Sequence, residues 1–542
     1  MALVKSGNAE FSCPRCWLPT SNFHLNCTGA TQDNRFMKKL TKIGKIYLES
    51  NRRTKAQKIS KDFSFHVVQN AFWSVPHFEN IYDCLVVDEL HQLGGVYKHL
   101  LGVIEDILSV SDKLEVNKRA QKYIPHFGGR RRFNNEYLLS TLVFPTYDEL
   151  KHHMGLNAQM VLCLRHFIDF AYQATSSEHT KDTLDQMEKS LELFNKYSPV
   201  AALYSKSFMA FPKNHALSKY RSDIESRGTV MGYSTCYSET QHKRDTKATA
   251  ARTSFNKKIF TKQMGAYIAR RDALYDAAAW HGQKSNNNHI SSTLHSSCSY
   301  TLLSPSNRRK PISLDALRNH ESEQFLSLGT AIRLFLDTDI EKRTSRVSLG
   351  RMPKLNITKF LIFKKLVIHT VADDDDEVYN ETVRTNTTFR GANWCDFVEL
   401  KGEYYDRPLL FFQGSYANKN LDMCFIERYL PIKNRTFVTD MEVLKLEEPK
   451  KVMQVSEIVR AVHIVPNFKT KKNEKTGHYE EYLLNHDANR HTWSENKGVI
   501  DDKLSSLVTW EDVEKEKVRR VAIKAKKRAL ELSSSNTGDR RK

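Results

Sequence analysis

The sequence has little cysteine and no long apolar run, and each shortage excludes a class of protein. Its nine cysteines are odd in number and mostly isolated, at positions 13, 16, 27, 84, 163, 236, 298, 395 and 424. This pattern argues against a disulfide scaffold and favours a reducing compartment. No stretch of about 18 apolar residues occurs, and the opening residues MALVKSGNAEF have no apolar signal core. We therefore expect neither a membrane-spanning nor a secreted protein.

Acidic residues are also in deficit. The 542-residue chain has 83 Lys and Arg against 63 Asp and Glu, so its formal net charge is +20 and its isoelectric point is about 9.3. Such an excess favours a polyanionic partner such as DNA, and the alternative is charge that serves solubility alone. The length predicts roughly two to four domains with enough residues for buried cores.

Composition and periodicity divide the chain into five parts, which together predict a mixed α/β and α protein that ends in an all-β module and a basic helical tail. They are a cysteine-pair basic segment (1–60), a mixed part with helical periodicity over about 111–225 (61–282), a flexible linker rich in Asn, Ser and His (283–324), a β-rich module with the short strands of a small barrel (325–500), and a basic helical tail (501–542).

The string Asp88-Glu89-Leu90-His91 stands between an apolar run and a helical pattern. Ile81–Val87 predicts a short buried strand, and apolar residues recur at helical spacing from Leu93 to Ile104. An acid placed where a strand meets a helix is suited to hold a metal ion at a sheet edge. The alternative is that Asp88 caps the helix that follows it.

Several stretches resemble, in the same order, the Plavaka-type transposases, which are fungal DNA transposases of the CACTA-like group. Gln69–Leu101 is similar to the region around the family's second catalytic aspartate, and Cys13-Pro14-Arg15-Cys16 is similar to the cysteine pair before it. Ser238–Lys243, SETQHK, falls where the family carries its catalytic-glutamate motif. The other similar stretches are IPHFGG (124–129) with RF (132–133), CLRHFIDFAYQA (163–174), DTLDQMEKSLELFNKY (182–197) and FPKNHALSKYRSDI (211–224).

The resemblance, over residues 11–275, implies a partial RNase H-like core interrupted by a large helical insertion. Carboxylates in such a core hold two Mg²⁺ or Mn²⁺ ions that cleave and join DNA strands. Asp88 and Glu239 are the implied catalytic metal ligands, and His91 and His242 orient a carboxylate or contact phosphate. On the alternative interpretation, Glu239 is a surface acid and each histidine a core residue. The β-rich module (325–500) resembles the SH3-like or BAH-like module often found in these elements.

One departure from the family bears on activity. The family's first catalytic aspartate precedes the cysteine pair, and no aspartate before Asp88 stands in a comparable context. Losing one of three carboxylate ligands removes most of the catalysis at a two-metal site. We therefore expect an N-terminally truncated transposase derivative that is inactive alone.

The cysteine pair is a candidate metal site. Cys13 and Cys16 lie three residues apart, so their thiolates can occupy one edge of a tetrahedral Zn²⁺ site. His24 and Cys27 can complete the set, or His91 can join the pair in the folded protein. The alternative is two free thiols.

Basic clusters provide candidate DNA contacts. Arg130, Arg131 and Arg132 follow two glycines on a predicted loop suited to phosphate contacts, and Lys243 belongs to the SETQHK motif. Lys38, Lys39, Lys42 and Lys45 form a second stripe at helical spacing. Each cluster can equally be a solvated face. KAKKR (524–528) in the tail is similar to a nuclear localisation signal, so we expect a nuclear protein.

The sequence thus predicts a transposase-derived DNA-binding protein without turnover, with DNA as partner, no membrane association and possible homo-oligomers. The alternative, from a different class, is a domesticated chromatin or DNA-binding adaptor without nuclease activity, whose useful part is the β-rich module. A third is a transposon fragment without a selected function.

Overall fold

The computed structural model divides the chain into two compact units. Unit 1 comprises Met1–Leu108, Ala158–Thr293 and Leu504–Lys542, and unit 2 comprises Ser109–Asn157 and Leu294–Lys503. The tail therefore belongs to the same unit as the cysteine pair. The residues described are 9–75, 80–107, 154–286, 299–303, 327–341, 360–371, 378–389, 392–402, 404–416, 419–435, 441–467, 470–474, 477–485 and 507–538, with single positions at 110, 114, 311 and 313.

The described residues of unit 1 are helical. Up to residue 286 its helices are α1 Asn34–Glu49, α2 Arg53–Asp62, α3 Gly94–Ile107, α4 Met154–Ala174, α5 Lys181–Tyr197, α6 Pro199–Tyr204, α7 Pro212–Ala216, α8 Tyr220–Arg227, α9 Cys236–Gln241, α10 Ala248–Ala250 and α11 Phe260–Asn286. Short 3₁₀ or π turns connect them at Thr20–Leu25, Ala71–Ser74, Ile81–Cys84, Glu89–Leu93, Leu217–Lys219, Val230–Tyr233 and His242–Lys247.

Helix α5 shows why the predicted helical stretches fold as they do. Thr180 and Thr183 form a reciprocal capping box, so two backbone N–H groups of the first turn find acceptors. The apolar residues Leu184, Met187 and Leu191 recur at helical spacing and are buried. Spacing and cap together determine this helix locally, which is why the sequence predicts it.

Helices α1 and α2 form a hairpin over a small core of their own. Met37 and Leu40 of α1 pack with Phe65, Ile81 and Tyr82. The close approach to residue 67 also requires a glycine in α1, because a Cβ at Gly44 would lie 2.7 Å from a methyl carbon of Val67.

The strand predicted over Ile81–Val87 is wrong. Ile81–Cys84 is a 3₁₀ turn, and Leu85–Val87 is extended without a strand partner. The backbone N–H of Val87 instead donates to the carboxylate of Asp223 at 2.9 Å, so a side chain satisfies the group that a ladder would have used. Within the described part of unit 1, β interactions are limited to isolated bridges, such as the one between Cys16 and Thr31. These residues do not show the RNase H-like core that the resemblance implies.

Unit 2 contains two antiparallel sheets. The four-stranded sheet has the order β1 Ser299–Leu303, β3 Lys365–Val371, β4 Val378–Phe389 and β5 Ala392–Cys395. The eight-stranded sheet is nearly closed and barrel-like, with β2 Leu361–Phe363 paired to β7 and the order β10 Ile458–Val462, β6 Phe397–Leu400, β7 Tyr404–Tyr416, β8 Lys419–Arg435, β9 Glu442–Gln454, β12 Tyr482–Leu484 and β11 Ile464–Pro466. The prediction of a barrel-like antiparallel module is confirmed.

Two features of unit 2 depart from the sequence prediction. The module is not all β, because helix α12, Leu328–Glu341, buries Leu328 and Ile332 against Phe412 and Phe425 of the large sheet. The predicted linker also contributes a strand, since Ser299–Leu303 pairs with β3 in register from Ser299 with His369 onward. An apolar YTLL segment inside a polar stretch is enough to join a sheet edge.

The tail forms helix α13, Trp510–Gly538, as its charge pattern predicts. Its first turns pack within unit 1, where Trp510 lies against His24 with ring centroids 4.3 Å apart. Arg520 donates hydrogen bonds to the backbone carbonyls of Leu203 and Ser205 at the end of α6. Among the described residues, no helix has the length and apolar character needed to cross a membrane.

Candidate metal centre and the Asp88 site

Cys13, Cys16 and His215 form the one group of potential metal ligands found among the described residues. The ligand atoms of the three side chains all lie within 4.8 Å of one another, and Cys16 Sγ is 3.1 Å from His215 Nε2. All three residues are buried. Thiolate sulfur and imidazole nitrogen are the ligands that Zn²⁺ prefers in proteins. The cluster can therefore hold a metal ion.

The cysteine pair lies in a short loop whose two ends pair with each other. Trp17 N–H donates to the carbonyl of Ala30 at 2.8 Å, and Gln32 N–H donates to the carbonyl of Arg15 at 2.9 Å. The Gln32 side chain also donates to the carbonyl of Cys13 at 2.7 Å. These contacts fix the backbone that carries both cysteines.

His215 reaches this loop from α7, which begins at Pro212. The Phe23 ring stacks on the imidazole at a centroid distance of 4.4 Å and an interplanar angle of 9°. The nitrogen that faces away from Cys16, Nδ1, is buried and has no hydrogen-bond partner. Ligating histidines usually donate this second N–H to a partner. Here the stacked aromatic ring orients the imidazole instead.

The hydrogen bond between the two thiols shifts their pKa values in opposite directions. A hydrogen bond from Cys13 lowers the pKa of Cys16, and His215 lowers it further. The pKa of Cys13 is raised by the same hydrogen bond and by burial. Cys16 is thus held as a thiolate, the form that binds metal. A cation entering the site displaces the proton of Cys13, so metal binding is linked to pH.

The ligand sets expected from the sequence are wrong beyond the cysteine pair. Cys27 is exposed, and His24 Nδ1 lies 2.9 Å from the carbonyl of Ser21. His91 Nδ1 forms a hydrogen bond with the carboxylate of Asp88 instead. The third ligand is His215, which was not among the predicted candidates. Its only signal was its place in the family-like stretch FPKNHALSKYRSDI.

Asp88 caps the turn that follows it. It is the N-cap of the π turn Glu89–Leu93, and its Oδ2 accepts hydrogen bonds from the backbone N–H of His91 at 3.1 Å and from His91 Nδ1. Thr235 donates its backbone N–H to Oδ1 at 2.8 Å and its hydroxyl to Oδ2 at 2.7 Å. The helix-cap alternative thus describes Asp88 as the structure shows it.

These hydrogen bonds control the charge of Asp88. Burial raises the pKa of the carboxyl, but the donors of Thr235, and then those of His91, more than offset burial and hold the pKa below its usual value. The carboxylate is ionised and fully engaged by protein groups. A metal ion bound there would have to displace some of these donors.

Glu239 lies one turn after Thr235, whose carbonyl accepts its backbone N–H at 2.8 Å. Its side chain is 41% exposed and lies beside His242, with Nδ1 3.9 Å from Oε2. Lys243 is exposed. The structure therefore brings the two motif-bearing segments together through Asp88 and Thr235. Neither acid belongs to a cluster of three metal-ligating groups within the described residues, so no support for Mg²⁺ or Mn²⁺ appears there.

Asp223, which lies in the same stretch FPKNHALSKYRSDI as His215, connects the two regions. Its buried carboxylate accepts hydrogen bonds from Arg15 Nη1 at 2.7 Å and from Val87 N–H at 2.9 Å. It therefore connects the loop that carries Cys13 and Cys16 to the segment that ends at Asp88. Arg130, Arg131 and Arg132, the predicted phosphate-binding cluster, lie outside the described residues.

Comparisons of this chain with known protein families, with curated proteins and with solved structures find no match.

Proposed function

We propose that this protein is a transposase-derived DNA-binding protein that does not cleave DNA by itself. The observation that carries the proposal is the uneven distribution of charge. Unit 1 has 43 Lys and Arg against 28 Asp and Glu, a net charge of +15, whereas unit 2 has 40 against 35, a net charge of +5. Three quarters of the excess thus lies in one compact unit.

Within unit 1 the excess is concentrated further. Residues 34–62 contain ten basic and two acidic residues, and residues 243–271 contain nine basic and one acidic residue, so each segment has a net charge of +8. The remainder of unit 1 is close to neutral. A charge that served only solubility would be spread over the surface, whereas local concentration creates the potential that attracts a polyanion.

The lack of cleavage is supported by Asp88. Its carboxylate accepts four hydrogen bonds from Thr235 and His91, and it caps a helical turn. A two-metal nuclease needs carboxylates that are free to bind cations. The adaptor alternative would place the binding surface in unit 2, where the charge excess is small.

Zn²⁺ is the ion that we propose for Cys13, Cys16 and His215, with a structural role. Two thiolates and an imidazole match Zn²⁺ better than Mg²⁺ or Mn²⁺, which prefer oxygen ligands. The ligands come from positions 199 residues apart, so the ion would join the N-terminal loop to α7. Metal analysis of the purified protein tests this: one zinc per chain is expected, and protein without stoichiometric metal would contradict it.

The DNA-binding proposal is tested by fluorescence anisotropy with a duplex of random sequence at several salt concentrations. We expect binding whose affinity falls steeply with salt and is unchanged in Asp88→Ala. In parallel, supercoiled plasmid is incubated with Mg²⁺ or Mn²⁺. Nicking that Glu239→Ala abolishes would show an active enzyme instead. Absence of binding at about 50 mM salt, where backbone contacts are strong, would reject the proposal.

A further inference from the structure

The hairpin of α1 and α2 carries a high density of positive charge on its exposed faces. In α1 the buried positions are Asn34, Met37, Leu40, Thr41 and Gly44. At 100° per residue, its five basic residues fall outside this buried face, with Lys45 at the edge of it. These are Arg35, Lys38, Lys39, Lys42 and Lys45, of which all but Lys45 are exposed.

Helix α2 repeats the arrangement. Ala56 is its buried residue, and Lys55, Lys58 and Lys61 follow one another three residues apart on the exposed side. Arg52 and Arg53, both exposed, lie at the turn between the helices. The apolar residues of the hairpin pack into their own core, so both basic faces point away from it.

None of these ten basic side chains lies within 4 Å of an acidic side chain among the described residues. The two that donate hydrogen bonds do so to neutral oxygens, Lys38 to the carbonyl of Trp73 and Lys45 to the side chain of Gln69, both at 3.3 Å. Like charges three and four residues apart on a helix destabilise it. The hairpin carries several such pairs without compensation.

Two other helices of the same unit neutralise their basic residues. In α13, Lys515 pairs with Glu511, Lys517 with Glu514, and Arg519 and Arg520 with Glu516. In α8, Arg221 contacts Asp185, Glu188 and Glu225. The lack of compensating acids therefore distinguishes the hairpin from α8 and α13.

The N-terminus of α2 adds a second argument. Its first turn contains no acidic residue, Arg52 at the N-cap makes no side-chain cap hydrogen bond, and Arg53 begins the helix. Cations at a helix N-terminus oppose the helix macrodipole. A local rule of stability is thus broken in the same place where positive charge accumulates, which is typical of a functional surface.

We propose that the exposed basic faces of the α1–α2 hairpin lie along the sugar-phosphate backbone of duplex DNA. The inference deepens the proposed DNA-binding function and rests on it. The lysines contact phosphates as mobile point charges, so the hairpin contributes affinity and not base recognition. Charge complementarity selects the partner, since DNA supplies the closely spaced anions that the unpaired lysines lack.

The loop that carries Cys13 and Cys16 connects the basic hairpin to the rest of unit 1. Gln32, which donates to the carbonyl of Cys13, is followed by Asp33, whose side chain caps α1 through the N–H of Arg35 at 3.0 Å. There is no linker between the loop and the helix. Because the loop is joined to α7 through His215 and to α8 through Arg15 and Asp223, the orientation of α1 follows from the cysteine loop.

The test compares two triple variants that remove the same charge from unit 1. Lys38→Gln/Lys39→Gln/Lys42→Gln changes the hairpin, and Lys515→Gln/Arg519→Gln/Lys524→Gln changes the exposed side of α13. Binding to the same random duplex is measured by anisotropy over a range of salt. We expect the hairpin variant to bind at least about ten-fold more weakly near 0.1 M salt, with a salt slope reduced by about 0.9 for each phosphate that the variant no longer neutralises.

Equal effects of the two variants would overturn the inference while leaving DNA binding in place, and a wild-type protein that does not bind would reject the proposed function itself. Lys38→Arg/Lys39→Arg/Lys42→Arg keeps the charge and is expected to retain binding. Circular dichroism checks that each variant is folded. If the α1 variant does not fold, Lys55→Gln/Lys58→Gln/Lys61→Gln on α2 replaces it with the same expectation.

Discussion

Thr235 donates both its backbone N–H and its hydroxyl to the carboxylate of Asp88, at 2.8 and 2.7 Å. The two residues are 147 positions apart, and each belongs to or adjoins one of the motifs that the sequence singles out. Asp88 thereby serves as a cap for its own turn and as an anchor for the segment that leads to Glu239. A carboxylate used in this way is a structural element of unit 1.

Removing the hydroxyl of Thr235 tests this role. Thr235→Val is expected to destabilise unit 1 by about 1–2 kcal/mol, because the variant keeps the backbone donor but loses the hydroxyl that donates to this charged, buried acceptor. Thr235→Ser, which keeps the hydroxyl, is the control and is expected to cost much less. Urea unfolding followed by circular dichroism measures both. Equal stability of Thr235→Val and wild type would contradict the assigned role.

The same contacts predict an acid dependence. The pKa of Asp88 is lowered on folding, so its contribution to stability is present above the usual carboxyl pKa of 3.8 and is lost as the pH falls below that value. Thr235→Val has fewer donors to the carboxylate, so the loss of stability on acidification is expected to be smaller than in wild type. Unfolding free energies at pH 3 and pH 6 measure the difference. Parallel pH profiles would contradict it.

Metal removal is expected to destabilise unit 1 selectively. Binding of structural Zn²⁺ contributes on the order of 10 kcal/mol in small zinc domains, so removing it is expected to cost several kcal/mol here. Cys16→Ala and His215→Ala should both fail to retain the metal, while Cys27→Ala, an exposed cysteine outside the cluster, should keep it. Elemental analysis and thermal unfolding with and without chelator measure the effect. Full metal content in His215→Ala would exclude that residue as a ligand.

Glu427 in unit 2 predicts a second pH effect. It is 1% exposed and lies near Lys450, His478 and Arg407, with Lys450 Nζ at 3.2 Å. Burial raises its pKa, but the hydrogen bond from His478 and then the charge of Arg407 lower it from 4.5 to about 2. Its contribution, about 3 kcal/mol at neutral pH, is therefore complete above pH 4.5 and is lost as the pH falls towards 2.

Glu427→Gln is expected to destabilise unit 2 at pH 7, because the positive side chains around it lose their counter-charge. It is also expected to reduce the loss of stability on acidification, which is called the acid limb below. Glu474→Gln, at an exposed position, is the matched control and should change neither quantity. Chemical unfolding monitored between pH 2.5 and 7 provides the measurement. An unchanged acid limb in Glu427→Gln would show that Glu427 is not the titrating group.

A substitution at Arg53 is expected to change the stability of the hairpin and its affinity for DNA in opposite directions. Arg53→Glu places an acid in the first turn of α2, where it complements the helix macrodipole, and is expected to stabilise the protein by about 0.5 kcal/mol. The same change should weaken binding to DNA. Unfolding and anisotropy experiments on one preparation measure both. Higher stability with unchanged affinity would mean that this arginine is only a solvated charge.

The sequence by itself determined the elements whose signals are local. Helix α5 follows from its spacing of apolar residues and its threonine cap, helix α13 from its charge pattern, and the antiparallel strands of unit 2 from alternation and turn residues. Each of these signals lies within one segment, where backbone geometry fixes the period. The short apolar run Ile81–Val87 has no such period, which is why the strand predicted there is wrong.

Only the tertiary structure decided what joins distant segments. It grouped His215, and not His24, Cys27 or His91, with the two cysteines as potential metal ligands, and it placed Thr235 against Asp88. It also packed the tail within unit 1, where Arg520 contacts the end of α6. The physical reason is the same in each case: a hydrogen bond or a metal ligand depends on the distance between two side chains, and that distance is set by packing over the whole unit and by no pattern within either segment.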